Sequence, residues 1–147
     1  MFQRILIAWD GSPVAVRAFD VAIDVTRRYE AELVAVSVAY SPAHAETAAD
    51  REETADAARR YLEETFAEVA DRAQRAGLEV KHRIIAGEEP ASAILEHAHE
   101  HGADLIICGH HHARRAGRLL LRGVAQDLVA RSEVPVLVIS NGTLDPG

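Results

Sequence analysis

Between Gly109 and Gly123 the chain sets His110, His111 and His112 beside Arg114, Arg115, Arg118 and Arg122, with no acidic residue among them. Guanidinium groups are planar, permanently charged donors that match phosphate and carboxylate oxygens. Imidazoles add positive charge as the pH falls toward their ordinary pKa of about 6.5. The chemistry open to this segment is to hold an anion. A carboxylate, Asp10, follows the first apolar run and can accept hydrogen bonds from a ribose or an amine. Asp10-Gly11-Ser12 also reads as a turn and helix cap.

The histidine run raises metal binding, since imidazole is a common zinc or nickel ligand. Three adjacent side chains in an extended loop point in different directions, however, and no carboxylate or cysteine completes the set. His97 and His101 lie four apart on a helical stretch, and His99 lies off their shared face. We expect no metal site and a role for the loop histidines in adding charge. Cys108, at the end of an apolar run, reads as a core residue. Trp9, beside Asp10, is either packing or a floor for a base.

These residues are positioned by alternating strand and helix. Ile5 to Trp9 is a short apolar run closed by Asp10-Gly11-Ser12-Pro13, with Ser12 suited to cap a helix and Pro13 to its first turn. Val14, Ala18, Val21, Ala22 and Val25 then recur at helical spacing. Leu33 to Val38 reads as the second strand, and Tyr40 to about Ala49 as a loop. A long amphipathic helix covers roughly Asp50 to Ala76, with Gly77 as its left-handed stop. Glu79 to Ala86 reads as an edge strand. A helix opens at Pro90 and ends at Gly102, with Ile94, Leu95 and Ala98 inward. Leu105 to Cys108, a helix over Val124 to Arg131 and a strand over Val134 to Ile139 complete the set, and 141–147 reads as a tail. Five alternations with crossover-length connections predict an open parallel sheet with helices on both faces, in one domain spanning 1–140. In such a sheet ligands bind beyond the carboxyl ends of the strands. Asp10 and the Gly109–Gly123 segment both fall there.

Several functions are excluded by what is missing. Lys81 is the only lysine and lies in no glycine loop, so a P-loop NTPase is ruled out. No G-x-G-x-x-G follows the first strand, no G-x-S-x-G elbow exists, and the serines and the cysteine have no partners arranged as a triad. The formal charge of −7 disfavours nucleic acid and anionic membranes as partners. Acid is concentrated between Glu46 and Asp71, so the arginine segment is a small basic patch on an acidic protein, suited to a small anion. One cysteine permits no internal disulfide and points to a reducing compartment. No apolar run approaches the roughly 20 residues of a membrane span. The start enters a strand without a secretory leader's apolar stretch. The expectation is a cytoplasmic protein.

Four segments carry a family resemblance. Ile5-Leu6-Ile7-Ala8-Trp9-Asp10-Gly11-Ser12, the Gly87-Glu88-Glu89-Pro90-Ala91 turn, Gly102-Ala103-Asp104-Leu105-Ile106-Ile107-Cys108-Gly109, and Pro135-Val136-Leu137-Val138-Ile139 together resemble the universal stress protein family, in order and over residues 2–140. The resemblance implies a five-stranded parallel sheet in the order 3-2-1-4-5, related to the adenine-nucleotide alpha hydrolase fold. It also implies a homodimer through the strand Val134–Ile139, and an adenine near Asp10 and Val38 bordered by Val124 and Ala125. The family's ATP-binding branch has a glycine, two residues, a second glycine, nine residues, then glycine followed by serine or threonine. Gly109 keeps the first glycine. His112 stands at the second, Arg122 at the third, and Gly123 where the hydroxyl belongs.

Histidine and arginine bring a Cβ and bulk where glycine lets backbone N–H groups approach phosphates. Tight ATP binding in the family's usual mode is therefore not expected, whereas a nucleotide or other anion held by the arginines is. We expect a dimeric stress-response module that acts by ligand or partner binding, without a catalytic residue. The alternatives are slow ATP hydrolysis or phosphotransfer in the same crevice, with Asp10 as its candidate carboxylate, and a ligand-free interaction dimer.

Overall fold

The computed structural model describes residues 1–40, 48–110 and 123–140. β1 (Arg4–Ala8), β2 (Glu32–Tyr40), β3 (Lys81–Gly87), β4 (Leu105–His110) and β5 (Val136–Ser140) form one parallel sheet in the order β3-β2-β1-β4-β5. The crossovers between them are α1 (Pro13–Tyr29), α2 (Ala48–Arg75), α3 (Pro90–Glu100) and α4 (Val124–Arg131). This is the doubly wound architecture expected from the alternation, and the strand order implied by the resemblance.

Alternation along each strand divides the core in two. Ile5, Ile7 and Trp9 of the first strand and its exit face α1 and α2, packing with Phe19, Leu62 and Phe66. Leu6 and Ala8 face α3 and α4, packing with Val36, Ile94 and Leu128. Because β1 and β4 are central and covered on both sides, they read as unbroken apolar runs rather than alternating ones. Their shared register is held at its base by Asp104, whose carboxylate accepts from the backbone N–H of Gln3 at 2.9 Å and of Arg4 at 3.1 Å.

Each helix has a local reason to start or stop. Ser12 caps α1, its Oγ accepting from the Ala15 N–H at 3.2 Å, and Pro13 occupies the first turn. Residue Glu30 ends the same helix in the left-handed region (φ 53), with the Ala31 N–H reaching back to the Thr26 carbonyl at 3.0 Å. Gly77 (φ +80) ends α2, with Gly77 N–H to Gln74 O and Leu78 N–H to Ala73 O, both 2.9 Å.

The structure moves several predicted boundaries. α2 spans Ala48–Arg75 where Asp50 to Ala76 was expected, and α3 stops at Glu100. β3 starts at Lys81 instead of Glu79. The last strand begins at Val136, not Val134, because Pro135 has no N–H to donate and the Val134 N–H is taken by Ser132 Oγ at 3.1 Å. The loop expected from Tyr40 to about Ala49 is shortened at both ends, since β2 runs through Tyr40 and α2 starts at Ala48; its residues 41–47 and the tail 141–147 lie outside the described residues.

Candidate functional site at the carboxyl ends of β1 and β4

The turn leaving β1 is built from Asp10, Gly11 and Ser12. The Ser12 N–H and hydroxyl both donate to Asp10 Oδ1, at 2.9 and 2.5 Å, while Ser12 Oγ accepts from the helix above. The turn-and-cap reading of this triplet is thus what the geometry contains, and it fixes the Asp10 carboxylate in place. Gly11 has φ +80, and a Cβ there would meet Thr65 Oγ1 at 2.8 Å and Tyr61 at 2.9 Å, so the turn tucks closely under α2.

Across from this turn, β4 delivers Gly109. A Cβ at Gly109 would stand 2.8 Å from Val14 Cγ1 and 3.2 Å from the Val14 carbonyl carbon. The missing side chain therefore lets the first turn of α1 cross over the end of β4. Asp10, Ser12 and Val14 meet Cys108, Gly109 and Val124 around one crevice. Its enclosed space is about 10 Å³, close to what a single water requires.

α4 opens on the same crevice. Its N-cap, Gly123, has φ 83 and no side chain with which to cap, so no N-cap side chain serves the first amides of α4. Two helix N-termini, of α1 and α4, thus face one spot, and both ends favour negative charge. The left-handed backbone also explains glycine at a position where the family's ATP-binding branch has a hydroxyl, since serine there would be strained.

Of the predicted site residues, the structure brings Asp10, Gly109 and Val124 together in the crevice. Gly123 stands at the mouth of α4, while Ala125 is buried in the core behind it. Val38 lies near the end of β2, half-buried and away from the crevice lining. His110 ends β4 opposite Ser140. His112, Arg114, Arg115, Arg118 and Arg122 lie outside the described residues, as does His111. Val14 and Cys108 line the crevice without having been picked from sequence for it. The Ser12-Pro13 helix start was the signal that α1 would place its first turn there.

Trp9 is buried at 2 % exposure on the opposite face, edge-on to Phe19 and Phe66, with Nε1 donating to Thr65 Oγ1 at 3.2 Å. It is packing, not a floor for a base. Cys108 is buried, and burial pushes its thiol up to about 11, so it stays protonated near neutrality. Among the described residues no group of three or more His, Cys, Asp and Glu is gathered for a metal ion.

A model of the universal stress protein family matches residues 1–140. The chain belongs to that family. A universal stress protein of Thermus aquaticus is 33 % identical over 139 residues, spanning 95 % of this chain and 99 % of its own. Among solved structures, the universal stress protein UspA from Lactobacillus plantarum superposes with a TM-score of 0.81 at 25 % identity, covering 94 % of this chain and 97 % of that one. Another universal stress protein, crystallised in complex with cAMP, gives a TM-score of 0.68 at 26 % identity over 95 % of this chain and 97 % of its own. This chain is therefore a stress-response protein of the universal stress protein family. No helix among the described residues is long and apolar enough to cross a membrane.

Proposed function

We propose that this universal stress protein binds an adenine nucleotide or a similar small anion at the Asp10–Gly109–Val124 crevice, and that it acts by binding rather than turnover. The observation that carries the reading is the N-terminus of α4, where the N-cap Gly123 supplies no side chain and Val124 lines a crevice that α1 also faces. Such an end offers backbone N–H groups and positive partial charge to one phosphate. The enclosed space, about one water, is too small for a base or a phosphate, so the phosphate sits over its mouth at the helix end and the base lies along the rim toward Val38. The cAMP complex of a 26 % identical relative supports a monophosphate as occupant.

A triphosphate is served less well. Only Gly109 of the four ATP-motif positions is kept, and the remaining contacts fall to Arg114, Arg115, Arg118 and Arg122. Asp10, the carboxylate an ATPase would draw on, is committed to holding the Ser12 turn. A homodimer through β5 and a cytoplasmic location complete the proposal.

Calorimetric titration with AMP, cAMP, ADP and ATP tests it. AMP or cAMP is expected to bind at least as tightly as ATP. ATP tighter than AMP by more than about tenfold, and undiminished when the four arginines are replaced by alanine, would sink the reading.

A further inference from the structure

A second cavity opens at the opposite end of the sheet, beneath the amino ends of β1 and β2 and alongside the last turn of α3. Its volume is about 510 Å³, within the range of roughly 300–1,000 Å³ typical of small-molecule sites. The lining is cationic for so acidic a chain. Arg4, Lys81, Arg83, His97 and His101 border it, against Glu32 and Glu79. Leu6, Val34 and Ala103 provide apolar wall.

Register explains why these side chains share one face. Lys81 pairs with Val34 and Arg83 with Val36, and neighbours in a parallel ladder project to the same side. Val34 and Val36 pack in the α3–α4 cluster, so Lys81 and Arg83 stand on the α3 side as well. Arg4 and its partner Glu32 follow the same parity, two residues before Leu6 and Val34. The helix contributes His97 and His101, whose rings stack at 4.0 Å between centroids. His101 Nδ1 donates to the His97 carbonyl at 3.0 Å, which fixes that ring and leaves Nε2 as its other polar atom.

The charges here are unbalanced. Arg4 is 3.7 Å from Glu32 and donates to the His101 carbonyl at 3.1 Å. Neither Lys81 nor Arg83 lies within salt-bridge distance of a carboxylate among the described residues. Burial holds the His97 imidazole below its ordinary pKa, and the charges of His101 and Arg83 push the same way, with Glu100 opposing. Unpaired cations that repel a neighbouring imidazolium are what an anion would relieve.

We propose that this groove binds a small organic anion, a phosphate or carboxylate carried on an apolar body, with Lys81, Arg83 and the His97–His101 pair holding the charged group. Lys81 and Arg83 act as the two principal donors, and Leu6 and Val34 receive the body. The site is separate from the Asp10–Gly109 crevice, and its occupant need not be a nucleotide.

Phenyl phosphate is a suitable probe, titrated into the 15N-labelled full chain and followed by amide chemical shifts. Shifts are expected at residues 81–83 and 97–103, with benzyl alcohol binding far more weakly than phenyl phosphate. The double substitution K81A/R83A, at exposed positions, should weaken phenyl phosphate by about tenfold or more. Glu32→Gln, which releases Arg4 from its carboxylate, should tighten it a few-fold. Shifts confined to residues 10–15, 109 and 123–125 overturn the proposal while leaving the crevice reading intact. So do equal affinities for the phosphate and the alcohol, affinities that neither substitution alters, or no shifts at millimolar probe.

Discussion

Ser37 has one hydroxyl hydrogen, and it goes to the Trp9 carbonyl at 2.6 Å. The 2.8 Å contact between Ser37 Oγ and His82 Nε2 must then be donated by the imidazole, which fixes the tautomer. With its ring stacked on Phe66 at 4.3 Å, His82 is held by burial down to a pKa of about 4. An unfolded imidazole takes its proton near 6.5, so between those values the unfolded chain binds more protons. Stability contributed by neutral His82 is therefore complete above that window and lost as the pH falls through it. Melting temperatures measured from pH 6.5 down to 5 should fall, and His82→Phe, which keeps the stacking, should flatten the slope. A variant as steep as the parent would show that His82 is not responsible. None of this was legible in the sequence, where His82 is one polar residue in an apparently ordinary edge strand. Gly109 was legible as a site position but not for its reason, because the approach of Val14 arises only when α1 folds across β4.

Element boundaries were read best where one residue dominates the local energetics. Ser12-Pro13 and Gly77 marked helix ends correctly, since capping and positive φ act over a single turn. The last strand was over-extended by two residues because its apolar pattern runs through Pro135 and conceals the lost donor. The end of α1 carried no such mark, for Glu30 adopts a left-handed conformation that its side chain resists. That strain predicts opposite outcomes for two exchanges. Glu30→Gly should stabilise by about 0.5–1 kcal/mol, as relief of the left-handed strain outweighs the added freedom of the unfolded chain. Gly77→Ala should destabilise by about 1 kcal/mol through backbone strain alone, because the space for its methyl is open. Urea denaturation of both variants checks the pair, and equal signs would contradict the argument.

For the whole molecule, strand order decides which surfaces remain. Resemblance supplied that order, while alternation alone supplied only a parallel sheet. β5 lies at one edge, hydrogen-bonded to β4, with Val136, Leu137, Val138 and Ile139 half-exposed. Pairing of this edge with a second copy predicts a light-scattering mass twice the chain's 16.0 kDa, and a monomer at micromolar concentration would count against it. The other edge is of a different kind. β3 presents Lys81 and Arg83 to solvent, charges that discourage another strand from adding there. A sheet with two apolar borders invites lateral polymerisation into fibres. Under the proposed pairing, joining through β5 leaves the charged β3 border outermost, and assembly is expected to stop at a closed pair.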